Sequence, residues 1–402
     1  MGEPFKVYGS IQDHGSRVGT VDLSRGRDRI RAVEWEYAPG GEASTHAVDP
    51  TDADVVYSEG FYGSIGRSDL GSGERARLRP RAAEGEEPLR GQWRAPFMIS
   101  RHNPRILYHG MNRLYRSMDR GESFQPISPD LSWNDDAKKG DIPYQTIFAL
   151  DESPLRFGLL YAGTDDGRLH VTRNSGDDWT EISAGLAQDR WISRVVASRT
   201  GEGVVYVAQN GKRDEDFAPY LWRSEDYGAT WTQITDGIPD DDFTRVIRED
   251  PVRPGLLYAG TETGLYVSFD DGGGWQQLQL NLPTVPISDL VVKGNDLVVA
   301  TNGRSFWILD DLTVLRQVTP EMADATHLFA PATADRMMSP LGGGRSAEPG
   351  KVYALGLGSN ATFEGQKLPT GKSVRRMLDA GENPIEGVIV HYIQPDSKAG
   401  VL

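Results

Sequence analysis

The sequence predicts an all-β protein: a β-propeller of about seven visible four-stranded blades, the first one partial, followed by the start of a β-sandwich domain. Three observations carry this. The string GLLYAGT at 158–164 recurs letter for letter at 255–261, 97 residues further on. Looser copies lie between and around them: GVVYVA at 203–208, ILYHG at 106–110, VVYS at 55–58 and LVVAT at 297–301. They place an aromatic at Tyr57, Tyr108, Tyr161, Tyr206 and Tyr258, steps of about fifty residues, the length of one propeller blade. Composition agrees: 46 Gly and 24 Pro against 8 Met favour short strands and tight turns over long helices.

A second marker keeps the rhythm, a Ser/Thr-x-Asp/Asn-x-Gly-x-x-aromatic hairpin. Its copies pair Asp119 with Phe124, Asn174 with Trp179, Asp226 with Trp231 and Asp270 with Trp275. Each letter has a physical reason. The Asp or Asn side chain accepts backbone N–H groups inside the turn, Gly adopts positive φ, and the aromatic packs between neighbouring sheets. These residues are therefore expected to be structural.

One repeat read through gives four strands, at about 243–249, 256–260, 265–269 and 275–278, with Asp250-Pro251 as a turn. The same order, with a Pro before the second strand, appears at Pro50, Pro104 and Pro154. YGSI at 8–11 repeats at 62–65, so the chain is expected to begin inside a blade, as part of a larger propeller. Blades are expected near 1–40, 41–90, 91–135, 136–185, 186–238, 239–283 and 284–320. Residues 321–350, containing GGGRSAEPG at 342–350, read as a linker. Residues 351–402 read as a truncated sandwich-like segment with strands at 351–355 and 387–392.

Charge and composition exclude several functions. A net charge of −15, from 43 Lys+Arg and 58 Asp+Glu, repels a phosphate backbone, so no nucleic-acid partner is expected. The absence of cysteine removes disulfides, thiolate metal sites and Cys nucleophiles. Neither a signal-peptide-like run nor a membrane-length apolar stretch is present, so membrane insertion is not expected. The seven histidines, at 14, 46, 102, 109, 170, 327 and 391, lack ligand spacing, and Asp240-Asp241-Asp242 lacks an EF-hand pattern. No metal and no cofactor are expected.

The Asp-box blades resemble the sortilin-type propellers of large bacterial proteins, often labelled glycosyl hydrolases. YGSIQDHG at 8–15, NRLYRS at 112–117, ISPDL at 127–131 and NLPTVPISD at 281–289 carry the resemblance, which covers roughly residues 5–320. GENP at 381–384 with GVIVHY at 387–392 is similar to the start of the sandwich that follows such propellers. The resemblance implies an extracellular or periplasmic location and is specific for fold rather than for activity. Asp-boxes occur also in sialidases, xyloglucan-cleaving glucanases and photosystem assembly factors. The cysteine-rich module of eukaryotic sortilins has no counterpart here, nor do the usual upstream blades.

Function in a propeller sits where the loops leading into the first strands meet the loops joining second to third strands. The former offer Trp133, Tyr144, Trp191, Arg194 and Arg245; the latter offer Asn112, Asp165, Asp166, Glu262 and Arg304, and a charged insertion at 209–219. Stacking aromatics and arginines fit a protein, peptide or carbohydrate ligand. A glycosidase would instead need two carboxylates facing across a bond, about 5–10 Å apart, for which Asp13, Asp165 and Asp166 are the candidates. The turn GTDDG at 163–167 has a twin, GTETG at 260–264, so a carboxylate there is expected to serve turn geometry. Sialidase chemistry is disfavoured: the Arg-Ile-Pro signature is absent, although Arg194, Arg245 and Arg304 occupy equivalent-looking positions. The favoured expectation is a non-catalytic binding propeller, against a xyloglucanase-like glycoside hydrolase or an assembly scaffold.

Overall fold

The computed structural model describes residues 5–22, 35–42, 44–319, 322, 326–334, 350–356, 359–371, 373–378, 381 and 387–394. Seven antiparallel sheets follow one another along the chain, and most of the expected linker at 321–350 and of the GENP motif lies outside the described residues. Blade 1 comprises Phe5–Ile11, Gly15–Val21 and Trp35–Tyr37. Blade 2 comprises His46–Asp49, Asp52–Glu59, Ile65–Asp69 and Arg75–Leu78, and blade 3 Phe97–Ile99, Leu107–Gly110, Leu114–Ser117 and Gln125–Pro126. Blade 4 is built from Ile147–Glu152, Leu160–Thr164, Leu169–Thr172 and Thr180–Glu181. Blade 5 has Trp191–Ala197, Val205–Asn210, Tyr220–Ser224 and Thr232–Gln233. Blade 6 has Thr244–Glu249, Leu257–Thr261, Leu265–Ser268 and Gln276–Gln277. Blade 7 ends the series with Ile287–Lys293, Asp296–Thr301 and Phe306–Leu309. In each four-stranded blade the strands pair in sequence order.

A four-stranded sheet this narrow cannot exclude water alone, so its faces must be covered by its neighbours. The buried clusters do that seam by seam. Val55, Tyr57 and Leu107 join blades 2 and 3; Tyr108, Leu114, Ile147 and Leu160 join 3 and 4. Tyr161, Ile192 and Val207 join 4 and 5, Tyr206, Ile247 and Leu257 join 5 and 6, and Tyr258, Ile287 and Leu297 join 6 and 7. The ring closes where Val7 and Val21 of blade 1 pack on Val298 of blade 7, with Trp35 and Phe306 rings 5.5 Å apart. Among the described residues side-chain packing, not strand pairing, makes this seam. The five repeat tyrosines are fully buried, and three carry their hydroxyls to carboxylates: Tyr108 to Glu152, Tyr206 to Asp271 and Tyr258 to Asp250.

Blade 1 has three described strands. In later blades the second strand faces the first strand of the next: Gly110 against Ile147, Gly163 against Ile192, Gly260 against Ile287. Tyr8 of Phe5–Ile11 stacks in the same way on His46, 5.6 Å away. The three strands of blade 1 thus occupy the second to fourth positions. The repeated YGSI, however, does not mark equivalent places. At 8–11 it lies within a strand, while Tyr62 and Gly63 form a short turn before Ile65–Asp69 with Tyr62 at φ 54°.

The Asp-box hairpins share one geometry. The first residue bonds the Asp or Asn and the Gly N–H: Ser224 Oγ donates to Asp226 at 2.8 Å and accepts from Gly228 N at 2.8 Å. The same oxygen of Asp226 accepts Thr230 N at 2.9 Å. The residue before each Gly takes positive φ (Arg120, Ser175, Tyr227, Asp271), as does the Gly itself. A Cβ on Gly228 would also collide with Ile182 of the preceding blade. Three of the terminal aromatics reach that preceding blade through the indole N–H: Trp179 to Ile127 O (2.7 Å), Trp231 to Ile182 O (2.8 Å) and Trp275 to Ile234 O (2.7 Å). Phe124 has no such donor and packs among apolar neighbours instead.

Beyond the ring, Gly350–Gly356, Ser359–Lys367 and Ser373–Met377 form a three-stranded sheet. His327–Leu328 pairs with Tyr392–Ile393; the rest of the strand expected at 387–392 is not extended ladder.

Candidate functional site

The two ends of the ring are chemically distinct. At one end each Asp-box turn bonds the loop joining the first and second strands of its own blade: Arg120 N to Arg105 O, Ser175 N to Gly158 O, Tyr227 N to Gly203 O and Asp271 N to Gly255 O. At the other, the loops leading into first strands bond those joining second to third strands: Leu131 N to Asn112 O, Asp165 N to Thr146 O and Glu262 N to Phe243 O. The Asp-boxes are therefore excluded from the second end, where the candidate residues converge.

Aromatic rings dominate that end. Trp93 stacks on Phe61 at 4.5 Å and meets Tyr62 edge-on at 5.5 Å. Trp133 is 55% exposed and lies under the Arg168 guanidinium at 4.6 Å. Trp191 packs on Phe148 at 5.1 Å and is covered by Arg213 at 4.1 Å. Phe217, on the 209–219 insertion, is exposed. Register shifts in the first strands of blades 4 to 7 fall beside these residues, at 148, 193, 245 and 288. Such bulges re-aim a side chain near a site.

Charges fill the spaces between the rings. Arg245 donates through Nε to Glu262 at 2.8 Å, and Lys212 lies 3.6 Å from the same carboxylate. Arg190 holds Asp216 at 2.7 Å, which also accepts the Tyr220 hydroxyl. Asn112 is buried, donating to Asp130 at 2.9 Å and accepting Arg90 N. Burial first, then the charges of Asp166 and Asp165, push the Tyr144 hydroxyl up to about 12.

Two of the three carboxylates proposed from sequence, Asp165 and Asp166, are occupied. Asp165 is fully buried and accepts Thr146 N (2.8 Å), Thr146 Oγ1 (2.9 Å) and Gln92 Nε2 (2.6 Å). Burial pushes its carboxyl up to about 6, opposed by these donors, with the Asp166 charge adding to the rise. Asp166 accepts Trp133 N at 2.8 Å and the Thr164 hydroxyl. The twin turn differs. In blade 6 the stapling carboxylate is Asp242, which accepts Thr261 Oγ1, Thr263 N and Thr263 Oγ1, while Glu262 turns outward to Arg245. The expected equivalence of Asp165 and Glu262 therefore fails, because the loop leading into the first strand supplies the staple in blade 6.

The remaining candidates are dispersed. Asp13 is exposed in the blade 1 hairpin, φ 63°, its N–H on Glu42 at 2.6 Å. Arg304 lies in an exposed turn, its N–H on Thr301 Oγ1 and its carbonyl on Trp307 Nε1. Arg194 points into the centre of the ring, 3.1 Å from Asp289. The three arginines at equivalent-looking positions do not meet. Sequence reasoning missed Phe61, Tyr62 and Trp93 as site residues, and considered Asp242 only within an acidic run without a metal pattern, not as the staple of blade 6. The tryptophan of GQWRAP at 91–96 was the one available signal. Among the described residues no group of His, Asp and Glu is arranged to hold a metal ion, and no helix is long and apolar enough to cross a membrane. An open groove of about 470 Å³ lies between blades 3 and 4, lined by Arg113, Pro129 and Trp179.

Seven stacked sheets and four stapled hairpins define the class: the chain is an Asp-box, or BNR-repeat, β-propeller. A family model described as BNR-Asp box repeat matches residues 221–234, the third hairpin and its flanking strands. The chain is similar to the oligoxyloglucan-reducing end-specific xyloglucanase of Emericella nidulans, 29% identical over 111 residues, 26% of this chain and 13% of that enzyme. In fold it is similar to the GH74 xyloglucanase from Xanthomonas campestris (TM-score 0.52, 20% identity, 77% of this chain and 50% of that one). It is likewise similar to the Niastella koreensis GH74 enzyme (TM-score 0.52, 13% identity, 95% and 58%). The chain thus spans about half the length of these solved structures.

Proposed function

We propose that the aromatic end of the ring binds a polysaccharide chain without cleaving it. The observation that carries this reading is the division of labour at that end. The rings of Trp93, Trp133 and Trp191 stand at that end, Trp133 exposed and two of the three with a guanidinium over them, whereas Asp165 and Asp166 are consumed by internal hydrogen bonds. Sugar rings stack on such indoles through their apolar C–H faces, and Arg245, Arg190 and Glu262 suit hydroxyl groups. The similarity to a xyloglucanase makes β-glucan backbones the first ligands to try, and this role carries with it an extracytoplasmic location.

Affinity electrophoresis and calorimetry against a polysaccharide panel, with reducing-sugar release measured in parallel, test the proposal. Binding without turnover is expected, and Trp133→Ala weakens it about tenfold, the loss of one stacked ring. The second reading, hydrolysis, is favoured by the match to the Emericella nidulans enzyme. It replaces the first if sugar release is found and disappears in Asp165→Asn or Asp166→Asn variants that remain folded.

A further inference from the structure

Two asparagines of the chain precede a glycine, Asn210-Gly211 and Asn302-Gly303, and both pairs lie at turns joining second to third strands, in blades 5 and 7. Such a pair is chemically poised. Glycine has no Cβ to shield its amide nitrogen or to restrict the backbone rotation that brings this nitrogen against the side-chain carbon of the residue before it. Whether the approach occurs depends on how firmly the surroundings hold the two residues, and here the two pairs differ.

Asn210 is fixed. It ends the strand Val205–Asn210 in register with Trp191, and its Oδ1 accepts Lys212 N at 2.9 Å. Gly211 is buried, and a Cβ on it would lie 2.8 Å from Asp216 Cβ and 2.9 Å from Arg190 Cδ. Asn302 is not held in this way. Asn302, Gly303, Arg304 and Ser305 are all exposed, and a Cβ on Gly303, at φ +98°, would meet nothing within 4 Å. Among the described residues neither the Asn302 side chain nor the Gly303 N–H has a hydrogen-bond partner. The turn is secured at its ends instead. Asn302 N donates to Pro286 O at 2.9 Å, and Thr301 Oγ1 donates to Ser305 O at 2.6 Å and accepts Arg304 N at 3.1 Å. The reacting carbon and nitrogen lie between these anchors.

We propose that Asn302 is a site of spontaneous covalent modification, closing to a succinimide with Gly303 and reopening to aspartate and isoaspartate. Hydroxide removes the Gly303 N–H proton, and the nitrogen attacks Asn302 Cγ. The N–Cγ bond forms, the Cγ–Nδ2 bond breaks, and ammonia leaves with a proton taken from water. Water then opens the ring. Attack at Cγ leaves aspartate; attack at the main-chain carbonyl leaves isoaspartate, in which the chain runs on through Cβ and Cγ. Water is the only co-reactant, and nothing is oxidised or reduced. Either product puts a carboxylate two residues from Arg304 at the aromatic end, and isoaspartate lengthens the turn by one carbon. That turn leads into Phe306, whose ring stands 5.5 Å from Trp35 across the seam that closes the propeller.

The test is incubation of the whole folded chain in mildly alkaline buffer, sampled over time by tryptic peptide mapping. Trypsin places the two asparagines on separate peptides, 200–212 and 294–304. Conversion is read as the mass change of an amide becoming an acid, located by fragmentation, and as isoaspartate by methyltransferase labelling. Asn302 is expected to convert at least about tenfold faster than Asn210, whose paired strand and crowded glycine must first open locally. In urea both segments are open, and the two rates are expected to converge. Asn302→Gln, which would need a larger ring, is expected to abolish the change on its peptide. The proposal is overturned if Asn302 in the folded chain keeps its amide as long as Asn210 does, or if the Asn302→Gln peptide still converts. A difference between the two sites that persists in urea assigns the selectivity to the flanking sequence and overturns the structural argument as well.

Discussion

Replacing Trp275 by Phe tests whether the Asp-box aromatics act as latches between blades or only as fillers. The indole N–H crosses from blade 6 to Ile234 O of blade 5 at 2.7 Å, at a seam where Trp275 is 4% and Ile234 7% exposed. Phe keeps most of the ring but deletes the donor and leaves a carbonyl in a place water does not reach. An unsatisfied buried acceptor costs about 1–3 kcal/mol, and the lost ring volume adds roughly 1 kcal/mol, giving about 2–4 kcal/mol together. Trp231 makes the same bond, to Ile182 O at 2.8 Å, but is only half-buried; water can replace its N–H, so Trp231→Phe costs about 0.5–1.5 kcal/mol. Urea unfolding followed by far-UV circular dichroism measures both, as shifts in midpoint at unchanged slope. Equal losses at the two positions, or a Trp275→Phe loss below about 0.5 kcal/mol, would refute the argument that burial sets the value of the latch. Phe124 shows that the ring position itself tolerates the missing N–H when apolar neighbours surround it.

Further expectations follow from the same packing. Arg316 bonds both oxygens of Asp250 at 3.0 Å, with the carboxylate 0% and the guanidinium 9% exposed. Arg316→Ala strands a buried charge and is expected to cost about 3–5 kcal/mol, while Asp250→Asn with Arg316→Met loses distinctly less; a double-mutant cycle in urea measures the difference. Glu59 is 2% exposed and burial raises its carboxyl to about 7 from 4.5. A raised acid favours the folded state below its unfolded pKa, and that advantage is lost as pH rises from 4.5 through 7. Stability is thus expected to fall over this window by roughly 3 kcal/mol from this group. Glu59→Gln flattens that part of the pH profile, and an unchanged slope refutes the assignment. Gly228→Ala, at φ +91° and against Ile182, is expected to destabilise by about 2–4 kcal/mol, whereas Gly73→Ala, also at positive φ but in open space, costs about 1 kcal/mol; thermal scans of the two rank them.

What the sequence disclosed follows from what repeats. Tyr57, Tyr108, Tyr161, Tyr206 and Tyr258 are visible because every seam needs the same buried ring, and the four hairpins because each turn must satisfy the same N–H groups. Blade 2 escapes the pattern: its corresponding turn is closed by Asp69, which accepts Gly71 N and Ser72 N, both at 2.9 Å, with no aromatic to follow. The staple under the second-to-third-strand turn is likewise interchangeable. Asp165 comes from the turn itself and Asp242 from the facing loop, so a reader of one strand of the pattern sees GTDDG and GTETG as twins when their carboxylates point in opposite directions.

The axial charges were illegible for a deeper reason. Arg194 was visible in the sequence, but its partner Asp289 lies two blades away, and no periodicity relates them. Neighbouring blades are coupled by apolar packing, which repeats; blades across the ring are coupled only through side chains long enough to span the axis, and these need to occur once. A seven-fold scaffold can therefore hold its shape through repeated residues while its chemistry is set by single ones. The same reasoning explains Trp93, which lies between the fourth strand of blade 2 and the first strand of blade 3, outside the repeated strands. In this protein the residues that recur are those that hold the ring, and the candidate binding residues are among those that do not.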